Sequence, residues 1–249
     1  LGKCGLQPGK FGMTSSLTSN FRSSPAEMAG FAALMRGRAA PDFSDALALG
    51  DDDRAILTMR GLDANAQGAA AAIWSSARSA VAAGRGLAFL RGLDADALAT
   101  LQAAAGLADP IRPSMLGEEG AENLLLKPTE GVDRNHDGLL EIGVARTVAF
   151  PPPDATPSLR AAWSSTLDGL DTGDALTLAL EVAGPATSIE GTGATRPGFS
   201  SPDFDWSGHI AALFDGVAVS SPYNSPEATR RAEARLTRFL DALKDHGLA

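Results

Sequence analysis

Apolar residues recur three and four positions apart through most of the chain and alternate with small or polar residues over only one short stretch. That balance predicts a mainly α fold, an Ala-rich helical bundle with minor β. Residues 1–23 carry many Gly, Ser and Thr and no apolar period, and read as an extended N-terminal arm. A helix start follows at once. Ser24-Pro25-Ala26-Glu27 supplies an N-cap Ser, a proline in the first turn and a Glu three residues after the cap. Met28, Phe31, Ala32, Leu34 and Met35 continue at helical spacing until Gly37.

Pro41 and Asp42 break the pattern, and a short segment around Phe43–Leu49 ends at Gly50. Asp51-Asp52-Asp53 then precede Arg54-Ala55-Ile56-Leu57. Three adjacent carboxylates invite a metal reading. Acids at a helix start also satisfy free N–H groups and complement the helix dipole, and capping is the reading preferred here. Arg60-Gly61-Leu62-Asp63-Ala64-Asn65-Ala66 recurs 31 residues later as Arg91-Gly92-Leu93-Asp94-Ala95-Asp96-Ala97. Two copies are too few for a repeat array. Each reads instead as a helix-to-helix connector, with Gly as the stop, Leu as the staple and Asp as the next N-cap. Helices are predicted over 64–83 and 94–105. Asp109-Pro110 and Arg112-Pro113 mark a boundary. It divides the chain into the arm 1–23, a helical part 24–110 and a mixed, mostly helical part 111–249, with one continuous domain as the alternative.

In the last part, Ile142, Val144, Val148 and Phe150 mostly alternate with small residues, which predicts one short strand ended by Pro151-Pro152-Pro153. Further helices are predicted from Pro157 or Ser158, near 174–183, and after the cap Ser225-Pro226-Glu227. The last of these places Leu236, Phe239, Leu240 and Leu243 on one face and Arg230, Arg231, Arg235 and Arg238 on what reads as a solvated face. Residues 184–208, rich in Gly, Pro, Ser and Thr, read as a long surface loop. Its Phe199, Phe204 and Trp206 either form a binding or oligomerisation surface or tuck into the core.

One stretch points to chemistry: Asp133-Arg134-Asn135-His136-Asp137-Gly138-Leu139-Leu140-Glu141. Asp133, Asn135 and Asp137 place side-chain oxygens at alternate positions, and Gly138 permits a sharp bend. Hard divalent cations take oxygen ligands, about six to eight for Ca²⁺. The expected ligands are Asp133, Asn135, Asp137, the Leu139 carbonyl and Glu141, directly or through water, with His136 facing solvent. Any of Glu118, Glu119, Glu122 or Glu130 could add a carboxylate from outside the loop.

The stretch resembles the EF-hand loop, D-x-[DN]-x-[DN]-G, although Val144 stands where that family carries its bidentate Glu. It also resembles the aspartate-rich loop of integrin-like and FG-GAP propeller blades, D-x-[ND]-x-D-G-x-x-[DE] followed by an apolar strand. There Glu141 falls on the last ligand position, and this second geometry is the preferred one for the loop. A propeller needs several such blades and this chain has one. The plain alternative is a polar turn, since Asn, Asp and Gly dominate turns for backbone reasons alone.

Charge and composition narrow the class. A net charge of −9 argues against a nucleic-acid partner, which wants clustered Lys and Arg. No apolar run approaches the roughly 20 residues of a spanning helix. The single Cys4 allows no internal disulfide. Leu1-Gly2-Lys3-Cys4 has the outline of a lipoprotein cleavage box, with Lys3 a poor fit before the Cys. Weak calcium sites fill only at extracellular calcium levels, so an extracytoplasmic location is expected. An Ala-rich, Arg-over-Lys composition suits a bacterial source.

No G-x-S-x-G, H-E-x-x-H or P-loop occurs, and His136, His209 and His246 are too scattered for a zinc set. Ser207-Gly208-His209 is a weak candidate for a nucleophile and base. The expectation is therefore a calcium-binding structural, assembly or interaction protein with a protein partner or self-assembly and no assigned catalytic residue. The alternative is a carbohydrate- or cell-wall-directed hydrolase using paired carboxylates. For that class, Asp137-Gly138-Leu139-Leu140-Glu141 loosely resembles a calcium-type loop of some α/α-toroid glycosidases.

Overall fold

A computed structural model describes residues 24–44, 46–184, 198–201 and 203–249. The arm 1–23 with Cys4, and most of the predicted loop after Gly184, lie outside the described residues. The protein is mainly α, with ten α-helices and one two-stranded sheet among the described residues. None of these helices is long and apolar enough to cross a membrane.

The N-terminal helices begin where their caps dictate. α1 (Pro25–Met35) carries the full capping box, with Glu27 N–H donating to Ser24 and Ser24 N–H to the Glu27 carboxylate. α2 (Asp51–Met59) is capped from its third position, where the Asp53 carboxylate accepts the Gly50 N–H. The two connectors behave as helix joints. Asp63 accepts from Ala66 N–H at the start of α3 (Ala64–Ala82), and Asp94 accepts from Ala97 N–H at the start of α5 (Ala95–Ala105). Between them lies α4 (Gly86–Arg91), a short helix that the apolar pattern did not signal. Gly61 ends α2 at φ +83°, whereas Gly92 ends α4 with ordinary right-handed φ, so only the first copy needs glycine for its backbone.

These helices enclose one apolar core, in which Leu57, Trp74, Leu90, Leu101 and Leu124 are all buried. The core does not stop at the expected boundary near residue 110. α6 (Glu118–Leu124) belongs to it through Ala121 and Leu124, and Trp74 donates its indole N–H to the Leu124 carbonyl.

A second core is aromatic. Phe150, Trp163, Phe199, Trp206 and Phe239 meet mostly edge to face, with Phe150 and Trp163 centroids 4.8 Å apart. It is closed by α7 (Pro157–Leu167), α8 (Thr172–Ala183), α9 (Trp206–Ser220) and α10 (Pro226–Asp245). Of the two readings of the predicted surface loop, Phe199 and Trp206 follow the core one. The solvated face expected on α10 needs correction at Arg235. It is buried and ion-paired to Asp174 at 2.9 Å and Glu181 at 2.6 Å, because α8 packs its acids against that side of α10.

The two cores are tied by main chain. Ala39 N–H donates to the Thr129 carbonyl and Gly131 N–H to the Ala39 carbonyl, while Ala40 N–H reaches Pro153. Trp163 in the aromatic core donates to the Met35 carbonyl of α1.

The single strand expected over 142–150 is instead a hairpin. β1 (Leu139–Ile142) pairs antiparallel with β2 (Ala145–Val148), and the chain turns at Gly143-Val144. Gly143 takes φ +63°, which a two-residue turn between strands requires, and this breaks the alternation that suggested one strand. The hairpin lies against α6 at close range. Gly143 N–H donates to the Gly120 carbonyl, and a Cβ at Gly120 would sit 2.2 Å from the Gly143 oxygen. Glycine at 120 is therefore a steric requirement of this contact.

Candidate functional site

The loop between α6 and β1 folds around its own short polar side chains. Asp133 accepts the Gly138 N–H at 3.0 Å, Asn135 accepts the Asp137 N–H at 3.0 Å, and Asp137 accepts the Leu139 N–H at 2.8 Å. These are the bonds by which Asx side chains shape a bend. Positive φ falls at His136 (53°) and Gly138 (79°), so the bend that the glycine predicted is present. His136 is exposed, with its Nδ1 3.6 Å from Asp154, and lies off the ligand positions as expected.

α6 braces both ends of this loop, which the sequence reading did not foresee. Glu119 is buried, and its carboxylate accepts Arg134 N–H at 3.0 Å and Glu141 N–H at 2.9 Å. One turn later, Asn123 accepts Val132 N–H and donates to the carbonyls of Val132 and Glu141. Glu119 and Asn123 are four residues apart and share a helix face, so one helix holds the loop's entry and exit together. The Glu-x-x-x-Asn spacing was the available signal.

Of the four acids considered as an added ligand, the structure brings two to the loop, Glu119 by the loop's backbone N–H groups and Glu122 by the Arg134 side chain. Glu118 accepts the Leu87 N–H, and Glu130 lies beside Lys127 and Arg78.

Electrostatics single out Asp133. Its Oδ1 is buried and has no hydrogen-bond partner among the described residues. Burial raises its pKa above the ordinary aspartate value, and the nearby Asp137 charge adds to the rise against the Gly138 N–H. Glu119 is raised as well, first by burial, with the charges of Asp133 and Glu141 contributing. The donor set is one that a hard cation would choose: carboxylates, an amide oxygen and a carbonyl. It is not gathered on one point. Among the described residues no three His, Cys, Asp or Glu side chains are placed to hold one ion. Asn135 Nδ2 instead donates to Asp137 Oδ2 at 3.0 Å, and Glu141 is paired with Arg146 at 2.8 Å. The structure thus brings Asp133, Asn135 and Asp137 into one bend and turns the Glu141 carboxylate towards β2.

Of the Ser207–His209 candidate, the imidazole is placed against the aromatic core. His209 Nε2 faces the Val182 carbonyl at 3.0 Å and its ring contacts Phe199, Phe204 and Trp206.

The chain matches no protein-family model, no curated protein and no solved structure.

Proposed function

We propose that residues 133–141 bind Ca²⁺ through Asp133, Asn135, Asp137, the Leu139 carbonyl and Glu141, with Glu119 beside them. The ion staples the connection between α6 and the hairpin in an extracytoplasmic protein whose role is structural, in assembly or interaction with a protein partner or another copy. One observation carries the calcium reading: the buried Asp133 Oδ1, unpartnered among the described residues, in a bend where burial and the Asp137 charge raise the Asp133 pKa. A buried charge without a partner costs stability, and a bound cation would remove that cost. Binding asks two present contacts to give way, Asn135–Asp137 and Glu141–Arg146. That cost fits a weak site, one that fills at extracellular rather than cytosolic calcium.

The hydrolase alternative needs two carboxylates facing a sugar across a cleft. The groove of about 580 Å³ between α1, the hairpin and α8 is lined, among the described residues, by apolar side chains and arginines, with no Asp or Glu to serve as that pair.

Calorimetric titration tests the site directly. Calcium is expected to bind once per chain, and Asp133→Asn, which keeps an acceptor for Gly138 but removes the charge, is expected to abolish the heat. Arg146→Gln, which frees Glu141, is expected to tighten binding. Equal heats for wild type and Asp133→Asn would reduce the stretch to a polar turn.

A further inference from the structure

The same groove has the composition of a ligand site. Its volume of about 580 Å³ lies inside the range of roughly 300–1,000 Å³ typical of small-molecule pockets. Leu34, Met35, Val148, Leu176 and Leu180 make its walls apolar, and Leu176 and Leu180 are exposed large hydrophobics. Arg38 and Arg60 line it too, and both also line a small adjoining recess with Trp74 and Asn123. The two arginines therefore border both the groove and the recess beside it.

Among the described residues, neither arginine has a carboxylate partner at ion-pair distance. Arg38 donates to the Glu130 carbonyl and Arg60 to the Ala104 carbonyl, one hydrogen bond each from groups carrying five N–H donors. Burial pushes the Arg38 pKa down to about 10, with the Arg60 charge as the next cause and distant attraction from Asp53 opposing it. In a chain of net charge −9, an apolar groove with two unneutralised guanidiniums and no acid in its lining runs against the overall field.

The geometry points to an amphiphilic anion as the occupant: a single alkyl or acyl chain ending in a carboxylate or phosphate. Its head sits between Arg38 and Arg60, and its tail runs towards Leu176 and Leu180. Guanidinium forks match either oxyanion bidentately, and the anion supplies the charge that the protein leaves out. This assignment does not depend on calcium.

The test uses the full chain in chelator and four probes with the same tail: dodecanoate, dodecyl phosphate, dodecanol and dodecyltrimethylammonium, each below its micelle-forming concentration. By titration calorimetry, one molecule of either anion binds per chain, and the alcohol and the cation bind about tenfold or more weakly. The order of the two anions separates a carboxylate from a phosphate ligand. Arg38→Gln and Arg60→Gln weaken the anions about tenfold and leave dodecanol unchanged, while Leu180→Asp weakens both anions. Equal affinity across the four heads, or no binding by any, overturns the proposal. The wild-type comparison decides it even if an arginine variant does not fold.

Discussion

Two acidic groups, each with a buried carboxylate oxygen, are treated in opposite ways. Asp53 and Glu130 are neutralised by the chain itself. Lys127 lies 3.3 Å from Asp53 and 3.9 Å from Glu130, Arg78 lies 3.7 Å from Glu130, and Thr129 donates to Asp53 through both N–H and hydroxyl. Asp133 and Glu119 have no Lys or Arg at ion-pair distance, only backbone N–H groups. Each group contains a buried oxygen without a hydrogen bond, Glu130 Oε2 and Asp133 Oδ1, yet only the first faces a guanidinium. Burial raises both pKa values; the leading opposition is the charges of Lys127 and Arg78 at Glu130, but the Gly138 N–H at Asp133. One group is a finished ionic joint between α2 and the segment before the loop. The other has no Lys or Arg at ion-pair distance among the described residues, and calcium is the partner proposed for it.

The largest expected effect breaks the finished joint. Asp53→Ala strands Lys127 and three donors in a buried place, and should cost about 3–5 kcal/mol in urea unfolding, equally with calcium and with chelator. Calcium dependence of that loss would mean the two joints are not independent. Next comes the frame of the unfinished one. Asn123→Ala removes three hydrogen bonds of a buried side chain and should cost about 2–3 kcal/mol, again in both conditions, because it braces the loop whatever the loop holds.

The order of legibility in the sequence follows from range. Caps at Ser24, Asp63, Asp94 and Ser225 were readable because a cap is satisfied within four residues. The bend at Asp137-Gly138 was readable for the same reason. Arg235 was misplaced because its partners Asp174 and Glu181 lie on another helix, and a periodic pattern on α10 cannot announce them. The hairpin turn hid behind Val144, an exposed apolar residue that continued the alternation into a two-residue turn. At the site, local spacing indicated Asp133, Asn135 and Asp137 as one bend. That Glu119 is the acid that accepts the loop's backbone N–H groups depends on how α6 lies against the hairpin, and so on Gly120 and Gly143.

The smallest expected effect concerns a third ionic group, which serves as a calibration. Arg231 and then Arg235 hold the Asp174 carboxylate below its ordinary pKa against the effect of burial. The folded state therefore binds that proton less readily than the unfolded state. The stabilisation is present above the unfolded value of about 3.9 and is lost as pH falls through the folded one. Asp174→Asn should flatten the acid limb of a stability–pH curve and leave the calcium response untouched; an altered calcium response would show that the C-terminal helices sense the loop.

The central claim is that the Asp133 joint is completed by an ion. Thermal unfolding of one preparation, first with calcium at about a hundred times its dissociation constant and then with chelator, tests it most directly. The account predicts a calcium-dependent stabilisation of about 2.7 kcal/mol, or roughly 5–10 °C in Tm, which disappears in Asp133→Asn. Superimposable transitions in calcium and chelator, with no heat on titration, would contradict it and leave Asp133–Glu141 a bend held by its own Asx bonds and braced by α6.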